Sequence, residues 1–232
     1  MYAALIDMDG TLYDSMQNHA DAWMRLSREN GLKAERDEFF LFEGRTGAST
    51  INILFNRTFG RDATPDEIKR LYTLKTQYFQ ELPHVGPMPG AARLLREMER
   101  LGVVRVLVTG SGQKSLITRL QHDFPGAFRE DLMVTAANVT KGKPHPEPYL
   151  KAMEMAGVDV AHAIVFENAP LGVEAGARSG AFTVGITTGP VPAQALADAG
   201  ADIIYDSMEA CADDFPRLLE SVIQNSKFKI QN

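Results

Sequence analysis

The chain opens on a short apolar run, residues 2–7, that ends in carboxylates and predicts a buried strand; Gly10 and Thr11 break it. From about residue 15 to residue 82 the period becomes helical. Met16, Ala20, Trp23 and Met24 fall at i, i+4, i+7 and i+8, one face of a helix that Gly31 ends. Thr64-Pro65-Asp66-Glu67 supplies an N-cap, a first-turn proline and a closing glutamate. A further helix starts there, with Ile68, Leu71, Tyr72, Phe79 and Leu82 on its apolar face. No strong strand pattern interrupts this block, which reads as a small helical domain inserted after the first strand.

Residues 83–90 hold three prolines and two glycines and read as a linker. Beyond them the pattern alternates. Helices are predicted over 91–101, 115–121, 148–156 and 172–179, and strands over 103–108, 132–135, 163–166, 182–186 and 202–205. Residues 226–232 read as a fraying tail. Strands alternating with helices at this spacing imply right-handed crossovers and a parallel sheet, an α/β fold. In such sheets the ligand lies beyond the carboxyl ends of the strands, so the residues just after each strand carry the chemistry.

Those residues form four groups. Asp7 and Asp9 stand two apart at the first strand end. Two carboxylates in one place need a proton or a cation between them, and Mg²⁺ with a phosphate fits. Thr109-Gly110-Ser111-Gly112 joins a strand to a helix with small residues, which lets backbone N–H groups approach a phosphate. It lacks both the third glycine of a dinucleotide fingerprint and the Gly-Lys of a P-loop. Lys143 can place an ammonium between a carboxylate and a phosphate. Glu167-Asn168 offers two oxygen ligands at another strand end. Taken singly, these are equally a pair of solvated acids, a plain turn, a surface lysine and a strand-end turn.

Composition narrows the partners. The 232 residues carry 24 Lys+Arg against 30 Asp+Glu, a net charge of −6. Such a chain is unsuited to general nucleic-acid binding, which rests on basic surface, so an anionic substrate must be held by local devices. The longest apolar stretch, residues 103–108, is short and interrupted by Arg105, which predicts no membrane span. Early acids argue against a signal peptide, and a cytoplasmic location is expected. The single cysteine, Cys211, excludes an internal disulfide framework and a cysteine zinc cluster; its Asp-rich surroundings read as polar.

In combination, and in this chain order, Asp7-Met8-Asp9-Gly10-Thr11, Thr109, Lys143 and Glu167-Asn168 resemble the four motifs of the haloacid-dehalogenase-like (HAD) phosphatase superfamily. The stretches Gly142-Lys143-Pro144-His145-Pro146-Glu147-Pro148-Tyr149 and Glu167-Asn168-Ala169-Pro170-Leu171-Gly172-Val173-Glu174-Ala175-Gly176 resemble its phosphoglucomutase-like branch. The resemblance spans nearly the whole chain. It implies a Rossmann-like core from residues 1–14 and 84–232 with an all-helical cap over residues 15–83. It also implies a Mg²⁺-dependent reaction through an aspartyl-phosphate. Asp7 would be the nucleophile and Asp9 the general acid and base. Thr109 and the Gly110-Ser111-Gly112 turn would hold the phosphoryl group, and Lys143 would orient Asp7. Asp7, Asp9, Asn168 and Glu167 would surround the metal, and His19 would stand near the general acid.

Two departures bear on substrate. The fourth motif ends in neutral Asn168 where Asp is usual. In β-phosphoglucomutases the cap loop carries Lys-Gly with an Arg four residues after the Lys; here those positions hold Glu43-Gly44 and Gly47. Glu43 could replace the charge missing at Asn168 as a metal ligand from the cap, with Arg45 gripping a leaving phosphate. This resembles a bacterial branch that hydrolyses inorganic pyrophosphate. The leading expectation is therefore an inorganic pyrophosphatase, a monomer or weak homo-oligomer. The alternatives are a β-phosphoglucomutase-like enzyme or sugar-phosphate phosphatase, and a non-catalytic phosphate-binding protein.

Overall fold

The computed structural model describes residues 1–111 and 114–230. The strands are β1 (Ala3–Ile6), β2 (Val104–Val108), β3 (Met133–Val134), β4 (Ala163–Glu167), β5 (Phe182–Ile186) and β6 (Ile203–Tyr205). They form one parallel sheet in the order β3-β2-β1-β4-β5-β6. The order reverses direction at β1, between β2 and β4, which opens a crevice at the carboxyl ends of these three strands.

The short apolar runs follow from burial on both faces. Ala4 and Ile6 of β1, Leu107 of β2 and Ile164 and Phe166 of β4 point to one side. There they meet α5 (Ala91–Arg100) and α10 (Met208–Ile230). The intervening Ala3, Leu5, Val106, Val108, Ala163 and Val165 point to the other side, against α7 (Glu147–Ala156) and α8 (Pro170–Ser179). The remaining core helices are α6 (Lys114–Asp123) and α9 (Ala193–Asp198).

Between β1 and α5 the chain forms α1 (Met16–Glu29), α2 (Glu38–Leu41), α3 (Gly47–Phe59) and α4 (Pro65–Glu81). These helices share their own apolar cluster, built on Trp23, Leu26, Phe39, Ile51, Leu54 and Leu71. The capping box read at Thr64 is present: its hydroxyl accepts from Glu67 N, and the Glu67 carboxylate accepts from Thr64 N. The segments leading into and out of the helical block run side by side, since Tyr13 bridges Pro87 and Met88 N donates to Leu12 O at 2.8 Å.

Three expectations need correction. The cap loop read over Glu43-Gly44 and Gly47 ends sooner than expected: Gly47 begins α3, with Thr46 as N-cap accepting from Ser49 N. The tail read as frayed is helical to Ile230, the end of α10. Cys211 is fully buried on that helix rather than in polar surroundings. Its helix buries Met208, Cys211, Ala212, Phe215, Leu218, Leu219 and Val222 at helical spacing. The exposed Asp213 beside them and the in-helix Pro216 obscure the pattern.

Candidate active site

Lys143 is the centre of a buried ionic cluster under the strand ends. Its Nζ donates to Asp7 Oδ1 at 2.5 Å, to Glu167 Oε1 at 2.6 Å and to the Val108 carbonyl at 3.1 Å, so all three protons are used. The loop that delivers Lys143 is tied by Glu147, which accepts from Thr140 N, Thr140 Oγ1 and Lys141 N. Burial works against the ammonium, but Asp7 and Glu167 outweigh it and hold its proton more firmly than usual. Two carboxylates share this one cation. Burial first, then the Glu167 charge, raises Asp7 to about 8 despite Lys143.

Glu167 was expected among the metal ligands; in the structure its carboxylate is engaged by protein donors. The side chain is fully buried, and both oxygens are taken. Oε1 accepts from Lys143 and from Tyr149 Oη at 2.7 Å; Oε2 accepts from Asn168 N and Ala169 N at 3.1 and 3.3 Å. Glu167 holds Lys143 and the turn after β4.

Asp9 is held from the helical block. Ser15 Oγ donates to Asp9 Oδ1 at 2.7 Å, and His19 Nε2 lies 3.0 Å from the same oxygen. On the far side of the ring, Lys75 Nζ is 2.5 Å from His19 Nδ1. An ammonium can only donate, so Nδ1 accepts, and the ring proton sits on Nε2 and points at Asp9. Burial and then the Lys75 charge lower the histidine pKa, which keeps it neutral. Burial alone would raise Asp9, but His19 and Ser15 outweigh it and lower the carboxyl to about 2. In this state Asp9 is ionised, ready as a base; an arriving anion would push its pKa back up for acid duty. Lys75 is a site residue that the sequence reading missed. Its position, on the apolar face of α4 between Leu71 and Phe79, was the available signal, because a buried charge in such a stripe requires a partner.

Thr109 and Ser111 follow β2. Thr109 Oγ1 accepts from Ser111 N at 3.0 Å, and the buried Ser111 Oγ has no partner among the described residues. Gly112 lies outside the described residues. The loop before α3 sits directly on these turns. A methyl group at Gly110 would lie 2.9 Å from Gly44 O, and one at Gly142 would lie 2.7 Å from Thr46 Cγ2. The absent side chains are what allow this approach. Between the loops is a cavity of about 50 Å³ lined by Asp7, Asp9, His19, Glu43, Arg45, Lys75, Thr109, Gly110 and Ser111, among others. Most of the site residues read from the sequence therefore line one cavity, with Lys143 and Glu167 beneath its Asp7 floor. Arg45 reaches the cavity with its Nε buried and unpartnered among the described residues, while Nη1 donates to Ser49.

Glu43 also faces this cavity. Burial and the Asp9 charge raise its carboxyl to about 8, and Lys75 opposes them. Burial lowers Lys75 to about 8, with Glu43 and Asp9 opposing. Asp7, Asp9, Glu43 and Glu167 thus set four carboxyl groups against the two buried ammoniums of Lys75 and Lys143; with all four ionised negative charge is in excess, so the raised Asp7 and Glu43 keep protons unless a cation offsets it. A hard divalent cation fits that excess. Among the described residues no three His, Cys, Asp or Glu side chains are grouped to hold a metal by themselves. Backbone oxygen, amide oxygen and water would have to complete the shell. Asn168 is buried behind the first-motif loop, where Oδ1 accepts from Thr11 Oγ1 at 3.2 Å and Nδ2 lies 2.9 Å from Met16 Sδ. It lies behind the cavity rather than lining it.

Comparison with known proteins agrees with this geometry. The model of the haloacid dehalogenase-like hydrolases matches residues 1–180. The validoxylamine A 7'-phosphate phosphatase of Streptomyces hygroscopicus subsp. limoneus is 33% identical over 202 residues, 84% of this chain and 90% of that one. Hexitol phosphatase A of Escherichia coli is 27% identical, covering 88% of this chain and 90% of its own. Among solved structures, a Bacteroides vulgatus protein provisionally assigned as a beta-phosphoglucomutase superposes with a TM-score of 0.90. It is 43% identical and covers 97% of this chain and 90% of its own. These relatives are phosphatases and a mutase-type protein; the expected closeness to pyrophosphatases finds no support among them. With the family model covering most of the chain and the sheet, cluster and crevice in agreement, this protein belongs to the haloacid dehalogenase-like hydrolases.

Proposed function

We propose that this chain is a phosphohydrolase of small phosphorylated sugars or polyols that works through an aspartyl-phosphate. The observation that carries the reading is Asp7 held by Lys143 on the floor of a cavity that Asp9, Thr109 and the helical block close. Residues 1–14 and 84–232 act as the catalytic core and residues 15–83 as the cap, with the paired segments at Tyr13 and Pro87 as the hinge between them.

Asp7 attacks phosphorus; the bond to the leaving oxygen breaks, and Asp9, carrying a proton once the anionic substrate has raised its pKa, protonates that oxygen. Asp9 then takes a proton from water, which attacks the aspartyl-phosphate and releases inorganic phosphate and Asp7. Thr109 and the backbone N–H groups of its turn hold the phosphoryl oxygens, and Lys143 offsets charge on Asp7. Mg²⁺ fits the excess negative charge and would be held by Asp7, the Asp9 backbone carbonyl and Asn168; when bound, it neutralises phosphoryl charge. His19, neutral and backed by Lys75, fixes Asp9 in place.

Phosphatase relatives support the substrate class. The test is acid-quenched turnover of radiolabelled phosphomonoesters with Mg²⁺. A hydroxylamine-labile phosphoenzyme in wild type, lost together with activity in Asp7→Asn, is the expected result. Activity surviving in Asp7→Asn removes Asp7 as nucleophile.

One observation favours pyrophosphate as a second reading. Glu43 places a third carboxylate in the cavity beside Asp7 and Asp9. That suits a substrate carrying an additional cation better than a neutral sugar. Turnover of pyrophosphate faster than of any sugar phosphate, with Glu43→Gln weakening apparent Mg²⁺ affinity, would establish it; faster sugar-phosphate turnover rejects it.

A further inference from the structure

The start of α1 supplies two consecutive residues to the site. Ser15 holds Asp9, and Met16, the first residue of the helix, reaches Asn168. In the sequence Met16 is one position of an apolar face; in the structure its thioether also has a polar task. Asn168 Nδ2 lies 2.9 Å from Met16 Sδ, with both side chains buried, and the sulfur is the only acceptor for that NH₂ among the described residues. On the other side of the amide, Thr11 Oγ1 donates to Asn168 Oδ1 at 3.2 Å.

Two missing side chains seat this pair. A methyl group at Gly10 would lie 2.0 Å from Asn168 Nδ2, so the amide rests directly on the backbone of the first-motif loop, where Gly10 has a φ of +82°. A methyl group at Gly189 would lie 2.8 Å from Met16 Sδ, so the sulfur fills the space a side chain at 189 would need. Thr188 Oγ1 donates to Gly10 O, which ties the loop after β5 to the first-motif loop. The thioether and the amide are therefore held against each other from both sides.

A thioether sulfur accepts a hydrogen bond but cannot donate one. The atom turned to it must be the NH₂, which leaves the single oxygen of Asn168 turned to Thr11. Flipping the amide would set a carbonyl oxygen against the sulfur, two lone-pair atoms with no proton between them. An ionised aspartate at this position would do the same in either orientation. We propose that Met16 is a positioning residue for Asn168: it takes the amide NH₂, keeps Oδ1 on the side of the first-motif loop, and makes position 168 one for an amide rather than a carboxylate. Oδ1 is the atom through which Asn168 can serve Mg²⁺, so this rests on the metal reading above and names what orients that ligand. The neutral residue at the end of the fourth motif is matched to a sulfur that enters from α1.

The experiment measures Mg²⁺ affinity by titration calorimetry and, in chelator, the urea midpoint. The proteins are wild type, Met16→Leu and Met16→Gln, each alone and combined with Asn168→Asp. Leucine keeps the apolar bulk without an acceptor; glutamine offers an acceptor oxygen and, turned over, a donor NH₂. Met16→Leu should weaken Mg²⁺ binding by about tenfold, the scale for losing a partner that orients a metal ligand, and Met16→Gln should stay within about threefold of wild type. Unchanged affinity in Met16→Leu, or an equal loss in both variants, overturns the positioning role. In chelator, Asn168→Asp should lower the urea midpoint, and Met16→Gln should restore more of it than Met16→Leu does. An Asn168→Asp midpoint at the wild-type value, or equal recovery or none with the two substitutions, overturns the amide requirement. A wild type that binds no Mg²⁺ overturns the metal reading and the positioning role toward it, while the chelator measurement still decides the Met16–Asn168 contact.

Discussion

Replacing Glu167 with glutamine changes one oxygen to an amide nitrogen and leaves the shape intact. The structure makes that change severe. Each carboxylate oxygen accepts two hydrogen bonds: Lys143 and Tyr149 on Oε1, the Asn168 and Ala169 backbone on Oε2. Glutamine has one acceptor oxygen, so in either orientation its NH₂ faces two buried donors. Leaving two buried donors unsatisfied costs about 1–3 kcal/mol each. Lys143 also loses one of its two counter-charges, and breaking a buried ion pair costs about 3–5 kcal/mol in total. Relief of repulsion with Asp7 offsets part of this, since the Glu167 charge helps raise the Asp7 pKa. The net expectation is a loss of about 3 kcal/mol, a fall in Tm of roughly 6–12 °C for a chain of this size. Urea unfolding of wild type and Glu167→Gln in chelator, where no metal linkage enters, measures it. A loss below ~1 kcal/mol would mean that the four donors are not committed to Glu167, and would return it to the metal shell.

Ser15→Ala removes one of the donors that hold Asp9 down to about 2; its pKa should rise, and the alkaline limb of the kcat/KM profile, where Asp9 loses the proton it gives the leaving group, should move to higher pH. An unmoved limb would show that Ser15 does not bear on that carboxyl. Glu147 is lowered from 4.5 to about 2 by the Thr140 N–H and hydroxyl and the Lys141 N–H. A depressed carboxyl contributes stability that is complete above its unfolded pKa and lost as pH falls through its folded one. Glu147→Gln should therefore destabilise above about pH 5 and flatten the fall of the urea midpoint between about pH 5 and 2; parallel curves for the two proteins refute this. Cys211 is fully buried, and burial followed by the Asp214 charge raises its thiol pKa well above the ordinary value. It should resist thiol reagents until the chain unfolds, and rapid labelling of native protein contradicts that placement.

The sequence by itself determined what depends on local order. Strands at Ala3–Ile6 and Val104–Val108 are legible because both faces of a parallel strand are buried, so the run is continuously apolar. The Thr64 capping box is legible because its donors and acceptors lie within four residues. The four chemical groups are legible because each stands just after a strand. Two things were obscured. The helix carrying Cys211 hides its period behind Asp213 and Pro216, and Gly47, read as loop, opens a helix because Thr46 caps it. Only the tertiary structure decided the partnerships. Glu167 follows β4 as a metal ligand would, yet it is consumed by Lys143 and Tyr149, which arrive from a distant loop and helix. Lys75 is far from Asp9 in the chain and reaches it through His19 because α1 and α4 pack side by side. Spacing along a chain encodes which groups share an element. Which donors an acceptor spends itself on, and how much room remains for a substrate, are set by elements meeting in space.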